Sequence, residues 1–488
     1  MFIRSAALSA TLIFAAGPVY ASQGKVLLEE IVALAGVNGT KITWGSLIEE
    51  NNSSFALQNV EIVDKKGKIT TINNVVVRGL EEANGRMTYD SFTMNDLRET
   101  DGNEGLGIAN ITSSSGDWPS NIWDDGLTAE EKRQRITFGN FSVNGLAAKR
   151  EGVNFTLNSI LMTNADIPLD YRFDPKQIEE AQGEPAAPLT FDQFAVVGLN
   201  GNGQGVNYQM GSFTLNNVNF PTSVNANISD WMRVFSSFSV NGIKASLAQL
   251  PVFALDNYGG TISPPGDSGN IVVKTNLDGL MINLKAVPDP KFQAIAGQLG
   301  YDQINGSMAS NGSYNPSTGR TAIFDTVLKL KDMFDLSLDY AITGYTPEVA
   351  GKFAEAQMKM AQGGDRNQML GAMATELSGV KLESFGLSLT DHSLVGRLLD
   401  FQASQMGTTG DQLAAGAPMM IGMGMGALNM PALTEMVTSA VGKFLTEKGT
   451  LTVRAMPTEP VSIVNVVLTG QRDPTKIPDM VNLQVSAQ

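Results

Sequence analysis

Cysteine is absent from the 488 residues, and histidine occurs once, at His392. The missing thiol excludes a cysteine nucleophile, a disulfide framework, a zinc–thiolate centre and a cysteine-ligated iron–sulfur cluster. Basic residues are also few: 34 Lys plus Arg stand against 49 Asp plus Glu, which gives a net charge of −15. Because nucleic-acid binding needs an excess of positive charge, we expect no nucleic-acid partner. We also expect no metal and no cofactor.

The chain does have the material of a folded core. Hydrophobic residues make up 42% of it and aromatic residues 7%, and the mean hydropathy is −0.03. These values are typical of a globular protein, and the length allows two or three domains.

Residues 1–21 have the pattern of a secretory signal peptide. Arg4 supplies the positive start, residues 6–16 are mostly apolar, and Val19 and Ala21 place small residues where a signal peptidase cleaves. The apolar run is shorter than the roughly 20 residues that span a bilayer, so we expect cleavage after Ala21 and no membrane-spanning helix in the mature chain. Loss of Arg4 takes the net charge from −15 to −16. Export without any cysteine for disulfides predicts a bacterial periplasm.

A block of 11 residues recurs four times in the first half of the chain. Its copies begin at residues 87, 136, 189 and 233, so their starts lie 49, 53 and 44 residues apart. Each copy has phenylalanine at its sixth position, followed by the pattern x-apolar-x-x-apolar; these residues are Phe92, Phe141, Phe194 and Phe238. Repetition with a period of 20–50 residues indicates an array of duplicated structural units.

The blocks alternate as β-strands do. In Phe141-Ser-Val143-Asn the apolar side chains are two residues apart, as one buried face of a strand requires. The Asn-Gly and Asn-Asp pairs near the block ends tolerate positive φ and suit turns or bulges. We therefore predict a mainly β protein in which residues 22–345 form duplicated, mostly antiparallel strands in an extended or curved sheet.

Residues 346–488 predict an α+β region with amphipathic helices. Thr346-Pro347 starts one helix, Ser393 is a candidate cap for a second that ends near Gly407, and Pro431 opens a third. Strands are predicted to return at residues 451–456, 461–469 and 480–485.

Two short motifs resemble those of enzymes. Gly266-Asp-Ser-Gly269 resembles the nucleophile signature of chymotrypsin-like proteases, but the sole histidine, His392, follows the serine instead of preceding it. Ser378-Gly-Val-Lys381 has the Ser-x-x-Lys spacing of penicillin-binding enzymes but no Lys-Thr-Gly partner. We interpret both as surface turns and expect no catalytic residue.

A carbohydrate-binding or carbohydrate-active alternative depends on Trp118, Trp123 and the pair Asp124-Asp125. The indole rings could stack on a sugar, and paired carboxyl groups are what glycoside hydrolysis requires. Burial of the tryptophans on a sheet is the plainer interpretation of the same residues.

Residues 413–434 contain no charge and are rich in methionine, with Met419, Met420, Met423, Met425 and Met430. The length suits a membrane helix, but glycines and two prolines would interrupt one. Met423-x-Met425 also has the thioether spacing of Cu(I) sites. We favour a plastic helix pair in the core or lining an apolar groove, with these methionines as candidate ligand-binding residues.

The strand sequences 141–146 and 277–284, with the helical C-terminal third, resemble the AsmA-like group and other bacterial periplasmic β-repeat proteins. The resemblance implies a role in envelope organisation or in accommodating lipid along an apolar sheet face. We therefore expect an exported, non-enzymatic envelope protein with a binding or scaffold role, whose partner is a lipid, another apolar ligand or an envelope protein.

Overall fold

The computed structural model describes residues 40–64, 66–101, 104–119, 134–168, 188–220, 234–266, 268–287, 289–361, 375–426 and 430–488. The predicted signal peptide lies outside these residues, as do Trp123, Asp124 and Asp125.

Strands account for 59% of the structure, which confirms the predicted mainly β class. The described residues contain 21 strands, which pair in an antiparallel manner. Their bounds are β1 Lys41–Thr43, β2 Ser46–Asn51, β3 Ser54–Val63, β4 Ile69–Arg78, β5 Glu81–Ala83, β6 Arg86–Asp101, β7 Glu104–Pro119, β8 Arg135–Arg150, β9 Val153–Pro168, β10 Leu189–Gly203, β11 Val206–Phe220, β12 Ser237–Leu247, β13 Leu250–Ser263, β14 Ile271–Asn283, β15 Gln303–Asn315, β16 Arg320–Leu330, β17 Phe334–Thr343, β18 Lys381–Asp391, β19 Thr450–Ala455, β20 Val461–Ser462 and β21 Leu483–Ala487.

Six of the seven α-helices among the described residues follow residue 346, which confirms the α+β character of the C-terminal third. Their bounds are α1 Pro290–Leu299, α2 Pro347–Ala361, α3 Leu394–Met406, α4 Gly410–Gly426, α5 Pro431–Glu447, α6 Ile463–Arg472 and α7 Ile477–Val481.

Contacts between residues divide the chain into two compact units. The first comprises Met1–Ala226 with Val234–Gly242, and the second comprises Asn227–Arg233 with Ile243–Gln488. The change from strands to helices at residue 346 lies within the second unit.

The first three sequence blocks lie in long strands, and the second half of the fourth lies in β12. The first three copies open β6, β8 and β10, and each of these strands pairs with the next strand along the chain, so that one repeat is one β-hairpin. The tenth residue of every copy has positive φ: 53° at Asp96, 64° at Gly145, 69° at Gly198 and 65° at Gly242. The Asn-Gly and Asn-Asp pairs therefore mark irregularities inside strands.

The positive φ explains the spacing of apolar residues in the block. In β6 the strictly alternating positions would be 92, 94 and 96, but Phe92, Met94 and Leu97 are the buried residues. Pairing to β7 is interrupted at Asp96 and resumes in the same register, with Asn95 opposite Asn110 and Leu97 opposite Ile108. One αL residue thus shifts the alternation by one position.

An arginine ladder joins successive hairpins of the first unit. Arg86 Nε lies 2.6 Å from Asp117 Oδ1, and Arg86 Nη2 donates to the carbonyl oxygen of Arg135 at 3.0 Å. Arg135 repeats the arrangement by pairing with Asp166 and donating to the carbonyl oxygen of Pro188 at 2.8 Å. Each arginine directly precedes a sequence block, so the ladder is part of the repeat.

Four helices of the second unit, α1, α3, α4 and α5, form a row that ends at a sheet edge. α1 contacts α3, α3 contacts α4, α4 contacts α5, and α5 contacts β21. Arg397 Nη1 of α3 donates to the carbonyl oxygen of Leu299 at 2.7 Å at the end of α1. The backbone N–H of Val485 donates to Met436 Sδ at 3.2 Å, so a methionine of α5 accepts a hydrogen bond from β21.

Two local predictions for the C-terminal third were wrong. Residues 461–469 were expected to be a strand because they are rich in valine, but only Val461–Ser462 are extended and Ile463 begins α6. Ser462 Oγ accepts the N–H of Asn465 and caps this helix. Ser393 does not cap α3 with its side chain; Asp391 Oδ1 accepts the N–H of Val395 at 2.9 Å instead.

Candidate functional site

Three rows of mostly apolar side chains cross one face of the first unit from β6 to β11. Direct strand pairing brings the members of each row side by side. The rows are Met94–Ile111–Val143–Ile160–Val196–Phe213, Leu97–Ile108–Leu146–Leu157–Leu199–Met210 and Phe92–Ser113–Phe141–Met162–Phe194–Leu215.

The side chains of the rows are buried in β6 and β7 and partly accessible to solvent in most of the later strands. In β6 and β7, Met94 is 1% exposed and Ile111 4%, because both belong to a core that also contains buried residues of β3 and β4. From β8 onward most members of the same rows are only half-buried. We call these half-buried residues the open apolar face: Phe141, Val143, Leu146, Ile160, Met162, Phe194, Val196, Leu199, Met210, Phe213 and Leu215.

A second, smaller core closes the open apolar face toward one end of the strands. It contains Ala165, Phe191 and Val218, all less than 9% exposed, and Met162 and Phe194 of the open apolar face pack against it. The ring centroids of Phe191 and Phe194 are 6.2 Å apart in an edge-on arrangement. The open apolar face therefore lies between two cores.

The opposite face of the same strands is mostly polar. Asn110 Nδ2 donates to Asn95 Oδ1 at 2.8 Å, and Asn144 Nδ2 donates to Asn110 Oδ1 at 3.4 Å, so that one amide ladder crosses three strands. The hydroxyls of Thr112 and Ser142 are 2.6 Å apart on neighbouring strands. Polar groups therefore predominate on this face, although Leu161, Ala195 and Val197 also belong to it.

The methionine-rich segment belongs to two helices, since residues 413–426 lie in α4 and residues 431–434 in α5. α4 continues through Pro418 to Gly426. The candidate ligand-binding methionines differ in exposure: Met419 and Met423 are 67% exposed and Met420 49%, whereas Met425 is half-buried and Met430, just before α5, is buried. No helix among the described residues has both the length and the apolar content to cross a membrane.

The residues of α4 that are buried are small, whereas Met419, Met420 and Met423 are exposed. Ala414 and Ala417 are buried, and Pro418 lies so close to Gly442 that a Cβ added there would be 2.8 Å from the proline Cγ. An open groove of about 430 Å³ lies between α4 and α5, lined by Ala415, Pro418, Glu435, Thr438, Ser439, Gly442, Lys443 and Thr446.

The residues of the carbohydrate alternative are not brought together among the described residues. Trp118 is 6% exposed and its ring centroid lies 5.4 Å from that of Tyr89, so the indole is part of the core and not available to a sugar. Trp123, Asp124 and Asp125 lie outside the described residues.

The enzyme-like motifs are turns in the part of the chain that the structure describes. Ser268 Oγ accepts the backbone N–H of Asn270 at 3.3 Å, and Ser378 Oγ donates to the carbonyl oxygen of Thr375 at 2.7 Å. His392 lines an open polar pocket with Lys329, Lys331, Asp332 and Asp335, among other residues; its Nε2 lies 3.4 Å from Asp335 Oδ1. No group of three or more His, Asp or Glu among the described residues could hold a metal ion.

A protein-family model described as "Uncharacterized protein" matches residues 327–488, about a third of the chain, which include α2–α7 and the methionine-rich segment. No curated protein matches. The comparisons contain no evidence for the AsmA-like group.

Proposed function

We propose that this protein is an exported, non-enzymatic component of a bacterial envelope that holds a lipid along the open apolar face. The observation that carries the proposal is the change along the three rows: the same repeat positions are buried in β6 and β7, whereas from β8 to β11 all of them except Leu157 are half-buried. A contiguous apolar surface of this kind on a soluble domain marks a binding site for an apolar partner.

A hydrocarbon chain is the ligand that fits the rows best. The rows contain Val143, Ile160, Val196 and Phe213 side by side, without a hydrogen-bonding side chain among them. An acyl chain laid along such a row would gain about 0.8 kcal/mol for each methylene that it buries. Ten methylenes would gain about 8 kcal/mol, from which the cost of association and of ordering the chain must be subtracted.

The resemblance of the repeats to AsmA-like proteins supports a lipid over other apolar ligands. The carbohydrate alternative has less support, because Trp118 is in the core. Cysteine is absent, and each enzyme-like motif occurs without the other residues that its enzyme class requires; both observations support a role without catalysis.

The signal-peptide pattern supports the periplasm. The mature chain recovered from a periplasmic fraction should therefore begin at Ser22 on amino-terminal sequencing.

Val196→Arg should remove bound lipid, whereas Val197→Arg should not. The two valines are adjacent in β10, but Val196 lies on the open apolar face and Val197 lies on the opposite face and is 37% exposed. An arginine at position 196 would place a charge against the acyl chain, which is unfavourable without a partner. Mass spectrometry of solvent extracts from the purified mature protein should show a tenfold or greater loss of lipid for Val196→Arg only.

Circular dichroism and thermal unfolding of both variants control for damage to the fold. Equal lipid content in the two variants, or a wild-type protein that purifies without lipid and does not retain a fluorescent fatty acid, would contradict the proposal.

A further inference from the structure

An asparagine–glycine pair forms the tip of the hairpin between β5 and β6. Asn84 and Gly85 are the two residues of the turn, and Ala83 pairs with Arg86 on either side of it. Both turn residues are exposed and have positive φ, 54° at Asn84 and 72° at Gly85. These are the residue types and the backbone conformation of a tight two-residue hairpin turn.

The peptide group between Asn84 and Gly85 is open to a reaction with the asparagine side chain. The attacking atom is the backbone nitrogen of the following residue, and glycine has no side chain to hinder it. In a two-residue turn the N–H of Gly85 lies outside the hydrogen-bond ladder, which joins Ala83 to Arg86. Apart from its chain neighbours, a Cβ placed at Gly85 would have no atom within 4 Å. The nitrogen and the carboxamide of this pair are therefore both accessible.

The other Asn-Gly pairs in the described part of the chain lie within paired strands. Their asparagines are Asn144 in β8, Asn200 and Asn202 in β10, Asn241 in β12, and Asn305 and Asn311 in β15. Some of their carboxamides are also held by hydrogen bonds: Asn144 Nδ2 donates to Ser142 Oγ at 3.1 Å, and Asn241 Nδ2 donates to Ser212 Oγ at 3.0 Å. One further pair, Asn38-Gly39, lies outside the described residues. The chain thus supplies its own comparison between an Asn-Gly pair in a turn and the same pair in strands.

We propose that Asn84 is a site of spontaneous deamidation and isomerisation in the folded protein. The backbone nitrogen of Gly85 loses its proton and bonds to Cγ of Asn84, while the bond from Cγ to Nδ2 breaks and this nitrogen leaves as ammonia. One water molecule then opens the resulting succinimide ring at either carbonyl carbon, which gives aspartate or isoaspartate. Solvent water is the co-reactant, so the reaction needs no enzyme, and it does not depend on the lipid that we propose for the open apolar face.

The modification should release β5 from β6. Isoaspartate adds one carbon atom to the backbone of the turn, which no longer matches the pairing of Ala83 with Arg86. The new carboxylate would also lie close in sequence to Glu81 and Glu82 of β5, and like charges on a short strand oppose pairing. Amide hydrogen exchange at residues 81–83 should therefore become faster in the modified protein, whereas the amides of β6 that pair with β7 should stay protected.

Incubation of the purified protein in mildly alkaline buffer, made with water enriched in oxygen-18, tests the proposal. Peptide mapping by mass spectrometry should find one heavy oxygen atom at residue 84, and the conversion there should be about ten times faster than at the Asn-Gly pairs of the strands. In urea all these pairs should react at similar rates, because unfolding removes the protection that the strands provide.

Gly85→Asn is the matched variant, because asparagine tolerates positive φ while its side chain hinders attack by the backbone nitrogen. Its Cβ has space at this position, so the thermal unfolding of the variant should match that of the wild type. Conversion at Asn84 should fall about tenfold. Conversion of Asn84 no faster than that of Asn144 in the folded protein, or a rate that Gly85→Asn leaves unchanged, would overturn the proposal.

Discussion

Phe92→Ala is expected to lower the free energy of unfolding by about 3–5 kcal/mol, whereas Phe194→Ala, at the same block position, should lower it by only about 1–2 kcal/mol. Phe92 is 2% exposed and belongs to the large core of the first unit. Its removal would leave a cavity among side chains that cannot all close over it. Phe194 is half-buried, so solvent already reaches part of the ring and its loss exposes less new surface.

Urea denaturation of the mature chain, stripped of lipid, measures both values. Thr93→Ala is the control, because Thr93 is next to Phe92 in β6 but belongs to the opposite face of the strand. We expect a change within about 0.5 kcal/mol for it. If Phe194→Ala were as destabilising as Phe92→Ala, the open apolar face would be as closed as the core, and the lipid proposal would lose its foundation.

Bound lipid should increase the loss of unfolding free energy that Phe194→Ala causes, and should leave the loss caused by Phe92→Ala unchanged. A ligand that binds only the folded state stabilises it, and Phe194→Ala would weaken this contribution by removing a ring that packs on the ligand. The same denaturation curves with lipid-loaded protein therefore test the site as well as the fold.

The contrast between Phe92 and Phe194 shows how far the sequence could predict this fold. The block pattern was sufficient for the strands, their antiparallel pairing and the apolar face, since alternation and repeat length are local properties. It could not separate a sealed row from an open one, because the two phenylalanines have nearly the same sequence neighbours. Their burial differs because β3 and β4 contribute side chains to the core around Phe92, and those contacts are long-range.

The methionine-rich helix shows a different limit. Apolar residues surround α4 on all sides, so its sequence marks no face for the core, and both burial and exposure were consistent with it. Ala414 and Ala417 are buried, and Pro418 is compact enough to approach α5 at Gly442. The sequence therefore marked a candidate segment but not which of its residues are exposed. The small residues opposite the methionines are the signal that indicates the exposed side.

Gly145→Val is expected to destabilise the protein by about 2–4 kcal/mol, although valine is ordinarily a favourable residue in strands. Gly145 has φ of 64°, a conformation that costs a residue with a Cβ about 1–2 kcal/mol and is worst for a β-branched one. A Cβ at this position would also lie 2.7 Å from Ala109 Cβ on the facing strand, and neither atom can rotate away. Gly152→Val measures the backbone contribution alone, because Gly152 has φ of 78° with open space around it.

The difference between these two variants gives the steric contribution, and Ala109→Gly should recover it in the Gly145→Val background without changing the backbone cost. Asp96→Gly should be neutral or stabilising by up to about 1 kcal/mol, because aspartate already tolerates φ of 53° at the equivalent position of the first block. Equal destabilisation by Gly145→Val and Gly152→Val, with no rescue by Ala109→Gly, would mean that the facing strands are not in contact there. The contact between Gly145 and Ala109 would then not explain the spacing of apolar residues in the repeat. The alignment of the three rows would need another cause.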